Sequence, residues 1–323
     1  MNIGIIGAGW IADKMAETLV NKPQGCQVYA IASRTIAKAQ QFAQHWGIEV
    51  AYGSYEELVC DPAVDLVYIA TPHSHHYAHT RLALEHGKPC LVEKAFMANV
   101  RETEEILALA KSKGLFITEA IWTRYQPARQ MVQQLIDNGA IGRPRHINAS
   151  LCYPMEFKER IVRPDLCGGA LLDLGVYSIN FARMFFEEGW QVVQSHCLKN
   201  DTGIDLIDYI TVEYADGKMA HLEASACNAF MNHGVIGGDK GWIEVDNVNN
   251  PQFISLYNAD RHLVSTTAVP PQVTGYEYQV FACKEALEKG WLESPYMPHA
   301  ETVRVMQIMD DLRREWGITY PMD

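Results

Sequence analysis

The chain opens with Asn2-Ile3-Gly4-Ile5-Ile6-Gly7-Ala8-Gly9-Trp10-Ile11-Ala12, and this stretch decides the fold of its first part. The isoleucines before the glycine turn form a short β-branched run, which is typical of a strand buried on both faces. Glycines interrupt the run. Apolar residues then recur at helical spacing, at Ile11, Met15 and Leu19. The pattern therefore predicts a strand, a glycine turn and a helix.

The glycine turn has the form G-x-G-x-x-A, with Gly7, Gly9 and Ala12 at its small-residue positions. In dinucleotide-binding folds the first glycine permits a tight turn and the second lets the pyrophosphate approach the backbone. The third position needs a small residue for packing of the helix on the strand. The helix N-terminus, at Trp10 and Ile11, offers N–H groups to the phosphates. The stretch predicts a Rossmann fold whose cofactor contacts these five residues.

The composition limits the classes of protein and of partner. The chain has 323 residues, which is typical of about two domains, and 48% of them are apolar, enough for sizeable cores. No apolar run approaches the ~20 residues of a membrane span, and no basic leader precedes the first strand. We therefore expect a cytoplasmic protein. The net charge of −12, without a long basic run, disfavours nucleic acid and membranes as partners.

Neither the cysteines nor a histidine cluster predicts a metal site. The eight cysteines form no C-x-x-C pair, which favours reduced thiols over a zinc ribbon or a redox dithiol. His73, His75, His76 and His79 lie close in sequence, and His75 and His79 could share a helix face. No nearby cysteine or acidic residue completes a ligand set. We expect no metal and interpret these histidines as polar residues at a helix start near the cofactor.

The end of the second predicted strand bears on the choice of cofactor. The strand spans 26–33 (CQVYAIAS) and leads into Ser33-Arg34-Thr35, without a carboxylate. In a Rossmann fold an acidic residue here binds the ribose 2′-OH of NAD, whereas an arginine suits the 2′-phosphate of NADP. Arg34 can hold a phosphate with a bidentate fork, and the hydroxyls of Ser33 and Thr35 can donate further hydrogen bonds. The sequence therefore favours NADP over NAD. The alternative is a merely solvated Arg34.

Two further predicted strands end in polar residues. The segment 65–70 (DLVYIA) is followed by Thr71-Pro72-His73, and 89–92 (PCLV) is followed by Glu93-Lys94. Ligands of open α/β sheets bind outside the carboxyl ends of the strands. We therefore expect the four polar residues among these, and Pro72 with them, beside the nicotinamide and its ribose. Helical patterns follow both strands, which predicts a parallel, doubly wound sheet.

The second part of the chain has a different pattern. After a last strand of the first domain at 115–120, we place the boundary near residue 120. The predicted domains are a dinucleotide-binding domain at 1–120 and a substrate-binding and oligomerisation domain at 121–323. Successive strand-like segments after Gly189 predict a large, mostly antiparallel open sheet, with one face on helices and the other towards solvent or a second subunit. The predicted fold class is α/β, with an α+β second domain.

An apolar helix in the second domain carries two polar groups. The segment 170–186 predicts a buried helix, and Asp173 and Tyr177 are four residues apart on it, hence on one face. A buried carboxylate and a buried phenol need hydrogen-bond partners. Two interpretations stay open from this pattern. The groups satisfy each other or the backbone within the core, or they face a substrate.

Four ordered motifs resemble the Gfo/Idh/MocA family of nicotinamide-dependent oxidoreductases. They are the N-terminal G-A-G-x-x-A, Thr71-Pro72 with His76, Glu93-Lys94, and Gly168-Gly169 followed by Asp173, Gly175 and Tyr177. The segments 119–124 (EAIWTR) and 293–299 (ESPYMPH) look most like the dimeric dihydrodiol dehydrogenase and glucose–fructose oxidoreductase branch. The resemblance implies a mixed α/β second domain whose open sheet commonly forms the oligomer contact. We therefore expect a homodimer or homotetramer.

Three departures from the family pattern bear on the site. The usual Glu-Lys-Pro is Glu93-Lys94-Ala95 here, which removes a rigid turn residue and keeps the amine. Tyr177 stands where many members carry a histidine, and the branch named above also uses tyrosine there. Asn180 replaces an acidic residue that often follows.

The resemblance implies hydride transfer between NADP(H) and a carbinol or carbonyl carbon of a sugar or cyclic dihydrodiol. Tyr177 would act as acid and base through its phenol, whose ordinary pKa near ~10 the ammonium of Lys94 would lower. Lys94 would also hold the substrate oxygen, and Asp173 would orient Lys94 or bind a substrate hydroxyl. The remaining candidate contacts are, for the cofactor, His76, Trp122 and Arg124 and, for the substrate, Trp122, Tyr153 and Tyr276.

Three alternative functions remain open. One is a redox-neutral glycosidase that uses tightly bound NAD on the same scaffold, which Ser33-Arg34 disfavours. A second is a non-catalytic, NADP-sensing regulator, against which the retention of Lys94, Asp173 and Tyr177 argues. The third is a purely structural dimer module. The substrate, the direction of reaction and the oligomer size have no readable pattern.

Overall fold

The computed structural model describes residues 1–21, 24–186 and 188–323. Contacts divide the chain into unit 1 (Met1–Trp122, Gln272–Gln307 and Met322–Asp323) and unit 2 (Thr123–Pro271 and Ile308–Pro321). Gln272–Gln307 groups with unit 1, so the contact units differ from the predicted domains, 1–120 and 121–323. We keep those two domains as a proposal about function. Across these described ranges, no helix is long and apolar enough to cross a membrane.

In the described part of unit 1, six strands form a parallel sheet with the order β3-β2-β1-β4-β5-β6. Next to β1 the strand order reverses, which is where open α/β sheets bind ligands. The predicted doubly wound parallel sheet is confirmed. The strands are β1 (Asn2–Ile6), β2 (Gln27–Ala32), β3 (Val50–Tyr52), β4 (Leu66–Ile69), β5 (Cys90–Glu93) and β6 (Ile117–Ala120).

Helices connect these strands, and the central strands are continuous apolar runs because both of their faces are covered. The helices are α1 (Trp10–Asn21), α2 (Ile36–Trp46), α3 (Tyr55–Cys60), α4 (His73–Glu85) and α5 (Val100–Lys113). The sequence analysis does not predict β3 or α3. The signal for α3 is a capping box, in which the Ser54 and Glu57 side chains each accept from the other residue's N–H.

In the described part of unit 2, eight strands form a sheet with the order β14-β13-β12-β11-β7-β10-β9-β8. The β7–β10 pair is parallel and the other neighbours are antiparallel, which confirms the predicted, mostly antiparallel sheet. The strands are β7 (Pro144–Cys152), β8 (Gln191–Lys199), β9 (Asp205–Glu213), β10 (Met219–Ser225), β11 (Gly234–Gly238), β12 (Gly241–Val245), β13 (Phe253–Asn258) and β14 (Leu263–Ala268).

One face of this sheet carries helical segments. The predicted helix at 170–186 is a π-helical turn, hereafter the π turn (Leu171–Gly175), that continues into α8 (Val176–Phe185). The π turn packs on β9 and β10, and α8 packs on β7 and β10. The other helices of unit 2 are α6 (Pro127–Asp137) and α7 (Glu159–Val162), and the chain closes with α9 (Glu277–Lys289) and α10 (His299–Trp316). The sequence predicts helices at about 276–289 and 299–316, and α9 and α10 lie there.

Candidate active site

The glycine turn after β1 leaves room for a phosphate at the start of α1. Gly7 has φ +102°, and a Cβ there would lie 2.8 Å from the Ala70 carbonyl oxygen, so the position requires glycine. A Cβ built on Gly9 meets no atom of the described residues within 4 Å. Helix α1 begins at Trp10, so its first N–H groups lie at the turn. This open cradle fits the pyrophosphate of a dinucleotide.

The residues after the turn differ in exposure. Ala12 is fully buried, as expected for a small residue that packs the helix on the strand. Ile11 is half-buried, and Trp10 is 65% exposed. The side chains of Trp10 and Ile11 are therefore accessible to a bound ligand, whereas that of Ala12 is not.

The end of β2 presents an arginine. Ser33 is buried, and its N–H donates to the Tyr52 carbonyl oxygen at 3.3 Å. Thr35 precedes α2, and its hydroxyl makes no capping hydrogen bond within the described chain. Arg34 is exposed, and no hydrogen bond or ion pair from the described residues engages its guanidinium. An anion at this strand end would therefore meet Arg34 without displacing another partner.

Neutral histidines lie near Arg34. Burial and the charge of Arg34 lower the pKa of His75, and burial chiefly lowers that of His79 to about 4. The Tyr55 and His79 rings are in edge-to-face contact, with centroids 4.6 Å apart, and Thr71 Oγ1 lies 3.1 Å from His79 Nδ1. Within the described residues no group of three or more His, Cys, Asp or Glu side chains is arranged to hold a metal ion. At neutral pH these rings add no charge to that of Arg34.

The ends of β4 and β5 bring several predicted residues together. The Tyr68 hydroxyl donates to the Glu93 carboxylate, and the Lys94 N–H donates to the same carboxylate at 3.3 Å. His73 Nε2 lies 3.0 Å from the Lys94 carbonyl oxygen, and the Lys94–Ala95 peptide bond is cis. Glu93 and His73 are buried, whereas Lys94 is half-buried. The backbone of Lys94 is thus held by its neighbours while its side chain keeps partial exposure.

His76 contacts backbone rather than open space. Its ring is fully buried, with Nε2 2.8 Å from the Thr71 carbonyl oxygen and Nδ1 2.9 Å from that of Ala95. Burial lowers the pKa of His76 to about 4, so the neutral ring donates to one side at a time. The sequence analysis predicts a cofactor contact here. The His76 ring joins the turns that follow β4 and β5, and the cofactor contact stays a prediction.

Tyr68 is a site residue that the sequence analysis misses. It is fully buried in β4, and its hydroxyl reaches the end of the neighbouring strand β5 through Glu93. A buried tyrosine usually places its hydroxyl on a polar partner. The sequence signal for this residue was the single tyrosine in the apolar run Leu66–Ile69. Its hydrogen-bond partner could not be read from the sequence because it depends on which strands are neighbours in the sheet.

Two predicted substrate contacts form an aromatic stack in unit 1. The rings of Trp122 and Tyr276 have centroids 4.1 Å apart and an interplanar angle of 22°. Trp122 follows β6, and Tyr276 caps the start of α9. Although the two residues are far apart in the sequence, the fold brings their rings into contact. The stack offers an aromatic surface to a ring-shaped ligand.

In unit 2, Asp173 is paired with an arginine that the sequence analysis misses. The Arg160 guanidinium donates to the Asp173 carboxylate. Asp173 is buried on the π turn, whereas the Arg160 side chain, on the short α7, is 40% exposed. Tyr177 is buried on the first turn of α8. The carboxylate thus has a side-chain partner, Arg160, that neither of the two interpretations names. No sequence spacing indicates this pair.

The other predicted residues of unit 2 lie around α8 and β7. Arg124 is buried and donates from Nε to Asn180 Oδ1 at 2.5 Å, and Asn180 Nδ2 donates to the Val176 carbonyl oxygen at 2.7 Å. Arg124 is therefore bound to the helix that carries Tyr177. Tyr153 is half-buried directly after β7. The predicted site residues are thus divided between the two units.

Two family models match the chain. The model described as the oxidoreductase family with NAD-binding Rossmann fold matches residues 1–120, and the GFO/IDH/MocA C-terminal domain matches 129–244. The trans-1,2-dihydrobenzene-1,2-diol dehydrogenase of Mus musculus is 33% identical over an alignment 332 residues long, which covers 99% of this chain and 98% of that relative.

Solved structures share the fold. KijD10, a 3-ketoreductase from Actinomadura kijaniata in complex with NADP and TDP-benzene, gives a TM-score of 0.88 at 25% identity over 97% of both chains. Levoglucosan dehydrogenase in complex with NADH and levoglucosan gives 0.87 at 20% identity, covering 98% of this chain and 97% of that one, and this likeness shows the fold alone. The chain belongs to the Gfo/Idh/MocA family and is a dehydrogenase-type oxidoreductase with a dinucleotide-binding Rossmann fold.

Proposed function

We propose that the protein is an NADP-dependent oxidoreductase that transfers a hydride between the nicotinamide and a carbinol or carbonyl carbon of a sugar or cyclic dihydrodiol. The observation that carries the proposal is the arrangement at the strand ends of unit 1. There the open turn at Gly9, the unengaged Arg34 and the fixed backbone of Lys94 follow β1, β2 and β5. The bound cofactor supplies the hydride donor or acceptor. The chain's own side chains carry out the other tasks.

Arg34 is the proposed ligand of the 2′-phosphate. Its guanidinium has no competing partner in the described residues, and the Thr35 hydroxyl beside it is not used to cap α2. The NADP complex of the 3-ketoreductase that resembles this chain at 25% identity supports this choice. A merely solvated Arg34 is the competing interpretation, and the cofactor comparison below separates the two.

Lys94 and Tyr177 are the proposed reacting pair of side chains. Tyr177 accepts the hydroxyl proton when the substrate is oxidised and returns it to the carbonyl oxygen when the substrate is reduced. Lys94 holds that oxygen by a charge-assisted hydrogen bond, and a nearby ammonium favours the phenolate form of a tyrosine.

Asp173 and the aromatic stack are the proposed means of holding the substrate. A carboxylate accepts several hydrogen bonds, so the proposed role of Asp173 is to bind a substrate hydroxyl in addition to the Arg160 guanidinium. The Trp122–Tyr276 stack covers one face of the substrate ring. The names of the relatives, a dihydrodiol dehydrogenase and a 3-ketoreductase, support a cyclic polyol or ketone as the substrate class.

A spectrophotometric panel tests the proposal. Sugars, polyols and trans-dihydrodiols are each incubated with NADP⁺ and with NAD⁺, and the absorbance of the reduced nicotinamide is followed. We expect turnover with at least one class of vicinal diol or aldose and a preference for NADP⁺. Hydrolysis of a glycoside without net change in absorbance would indicate the glycosidase alternative. Tight NADP binding without turnover of any substrate would indicate the regulator.

A further inference from the structure

The π turn that carries Asp173 rests on a buried carboxylate of β9. The Leu171 N–H donates to Asp205 Oδ2 at 2.6 Å. Gly169 has φ +131°, and a Cβ at this position would collide with the same carboxylate. Asp205 itself is fully buried. The backbone at the start of the π turn, just before Asp173, is therefore anchored on Asp205.

A β-bulge places a second carboxyl beside Asp205. Leu198 of β8 pairs with Ile207, whereas the next residue pairs with Asp205, so Leu206 is the extra residue of the bulge. In a regular strand Asp205 and Asp208 would point to opposite faces. The bulge removes one step of this alternation, and both carboxyls are fully buried.

The surroundings of the two carboxyls favour one shared proton over two negative charges. Within the described chain, Asp205 Oδ1 and both Asp208 oxygens meet no donor other than the facing carboxyl. Burial, and then the negative charge of Asp205, raise the pKa of Asp208 well above its ordinary value. Burial also raises the pKa of Asp205, and the Leu171 N–H opposes this shift. These directions favour the protonated form of Asp208 and leave Asp205 as the acceptor for the Leu171 N–H.

The groups that face the pair do not neutralise a second negative charge. On β8, Cys197 lies opposite Asp208, and burial followed by the two carboxyls raises its pKa to about 12. Lys199 of β8 donates to the Trp316 carbonyl oxygen. On α10, Arg313 favours the ionised form of Asp205 but is itself paired with Asp310 at 2.6 Å. Because both cations have other partners and the thiol is neutral, these groups favour a single negative charge on the pair.

A second contact holds the same turn from the segment that follows α10. The Tyr320 hydroxyl donates to the Gly168 carbonyl oxygen at 2.6 Å, and the Arg313 guanidinium lies 4.4 Å from the centre of the Tyr320 ring. The glycines before the π turn are thus fixed on one side by Tyr320 and on the other by Asp205. Such double anchoring restricts where the following residues can lie.

We propose that Asp205 and Asp208 are a positioning pair whose shared proton sets the place of Asp173 and Tyr177. Neither carboxyl touches the reacting groups, and both act through the Leu171 N–H and the π turn. With the proton present, Asp205 accepts from Leu171 and from Asp208 at once. Without it, two buried negative charges repel each other and the turn loses its fixed support. This inference rests on the proposed roles of Asp173 and Tyr177.

Three variants of the full-length protein test the pair. Asp208→Asn keeps a neutral donor for Asp205, Asp208→Leu removes it, and Asp201→Asn on the exposed turn between β8 and β9 is the matched control. We expect Asp208→Leu to lower kcat by about 10- to 100-fold, with KM for NADP⁺ unchanged, because misplacement of a reacting group costs rate. Asp208→Asn should restore most of kcat. Equal losses in the Asn and Leu variants, or no loss in either, would overturn the proposal.

A pH series tests the shared proton without any use of activity. The unfolded chain has the ordinary aspartate pKa near ~3.9, and the folded value is raised, so folding retains a proton on Asp208. The stabilisation is complete below the unfolded pKa and is lost as the pH rises through the folded one. We therefore expect the urea midpoint of Asp208→Asn to match wild type near about pH 4 and to exceed it near about pH 8.

The pH series and the rate measurements test different parts of the proposal. A constant difference between Asp208→Asn and wild type across the pH range would contradict the shared proton, whatever the substrate is. If the proposed function is wrong, the rates of all variants lose their meaning, yet the pH dependence of the urea midpoint still decides the state of the pair. The Asp201→Asn control should follow wild type in both measurements.

Discussion

Arg34 is the residue on which the choice between NADP and NAD depends. Hydrogen bonds to a charged group contribute about 1.5–3 kcal/mol, so Arg34→Ala should lower kcat/KM for NADP⁺ by about 10- to 100-fold. The value for NAD⁺ should stay nearly constant because NAD has no phosphate at this place. Initial rates with both cofactors measure the effect, and Lys38→Ala, an exposed cation on α2, is the control. Equal losses with both cofactors would show that Arg34 supports the fold.

Tyr177 is the residue on which proton transfer depends. Tyr177→Phe removes one oxygen from a buried side chain, and general acid–base catalysis of this kind contributes about 10²–10⁴-fold. We therefore expect kcat to fall by that factor while the Kd for NADPH, measured by fluorescence titration, is retained. Tyr209→Phe on β9, which is 54% exposed, is the control. Near-normal turnover of Tyr177→Phe with NADPH bound would refute the role.

At this scale the sequence predicts residues that stand in motifs and misses their partners. Gly7 and Lys94 follow strand ends, and Tyr177 stands four residues after Asp173 behind a glycine pair. Spacing singles these residues out, and the family resemblance implies the roles of Lys94 and Tyr177. The Arg160 partner of Asp173 depends on how an irregular segment folds back, and the Tyr68 partner of Glu93 depends on which strands are neighbours. Such contacts are non-local and leave no periodic signal.

Helix α3 shows how a short element is fixed by its cap and its packing. Ser54 and Glu57 form the capping box, and a Cβ on Gly4 of β1 would lie 2.8 Å from Leu58, so the helix lies close against the strand. Ser54→Ala should lower the free energy of unfolding by about 1 kcal/mol because an N–H at the helix start loses its partner. Urea unfolding measures this loss. The exposed Ser112→Ala, near the end of α5, should show less than half of it, and kcat of both variants should match wild type.

The elements that sequence patterns predict are the long and strongly apolar ones. α10 is periodic over its whole length, and the buried strands of unit 1 are continuous apolar runs. The missed strands lack these signals. β11 (Gly234–Gly238) has glycine at three of its five positions, and β14 (Leu263–Ala268) is exposed along its whole length. Both owe their conformation to hydrogen bonds from a neighbouring strand rather than to their own residues.

At the scale of the whole molecule, we propose that subunits meet on the sheet of unit 2. The contact surface would be the face of this sheet that does not carry the π turn and α8. Trp242 and Tyr257 stack across β12 and β13 with ring centroids 4.6 Å apart. The large apolar side chains of Leu198 and Met219 on β8 and β10 are exposed. Their exposure, together with the exposed apolar edge at β14, is typical of a protein contact surface.

Assembly through this surface predicts a dimer or tetramer that a single charge disrupts. In an assembly with twofold symmetry each substitution occurs twice at the contact, so Trp242→Lys places two like charges on facing copies of one patch. Analytical ultracentrifugation should therefore show wild type as a dimer or tetramer and Trp242→Lys as a smaller species. Val20→Lys adds the same charge at a 55% exposed apolar position of unit 1 and should leave the assembly intact. A monomeric wild type, or equal dissociation of both variants, would exclude the sheet as the contact.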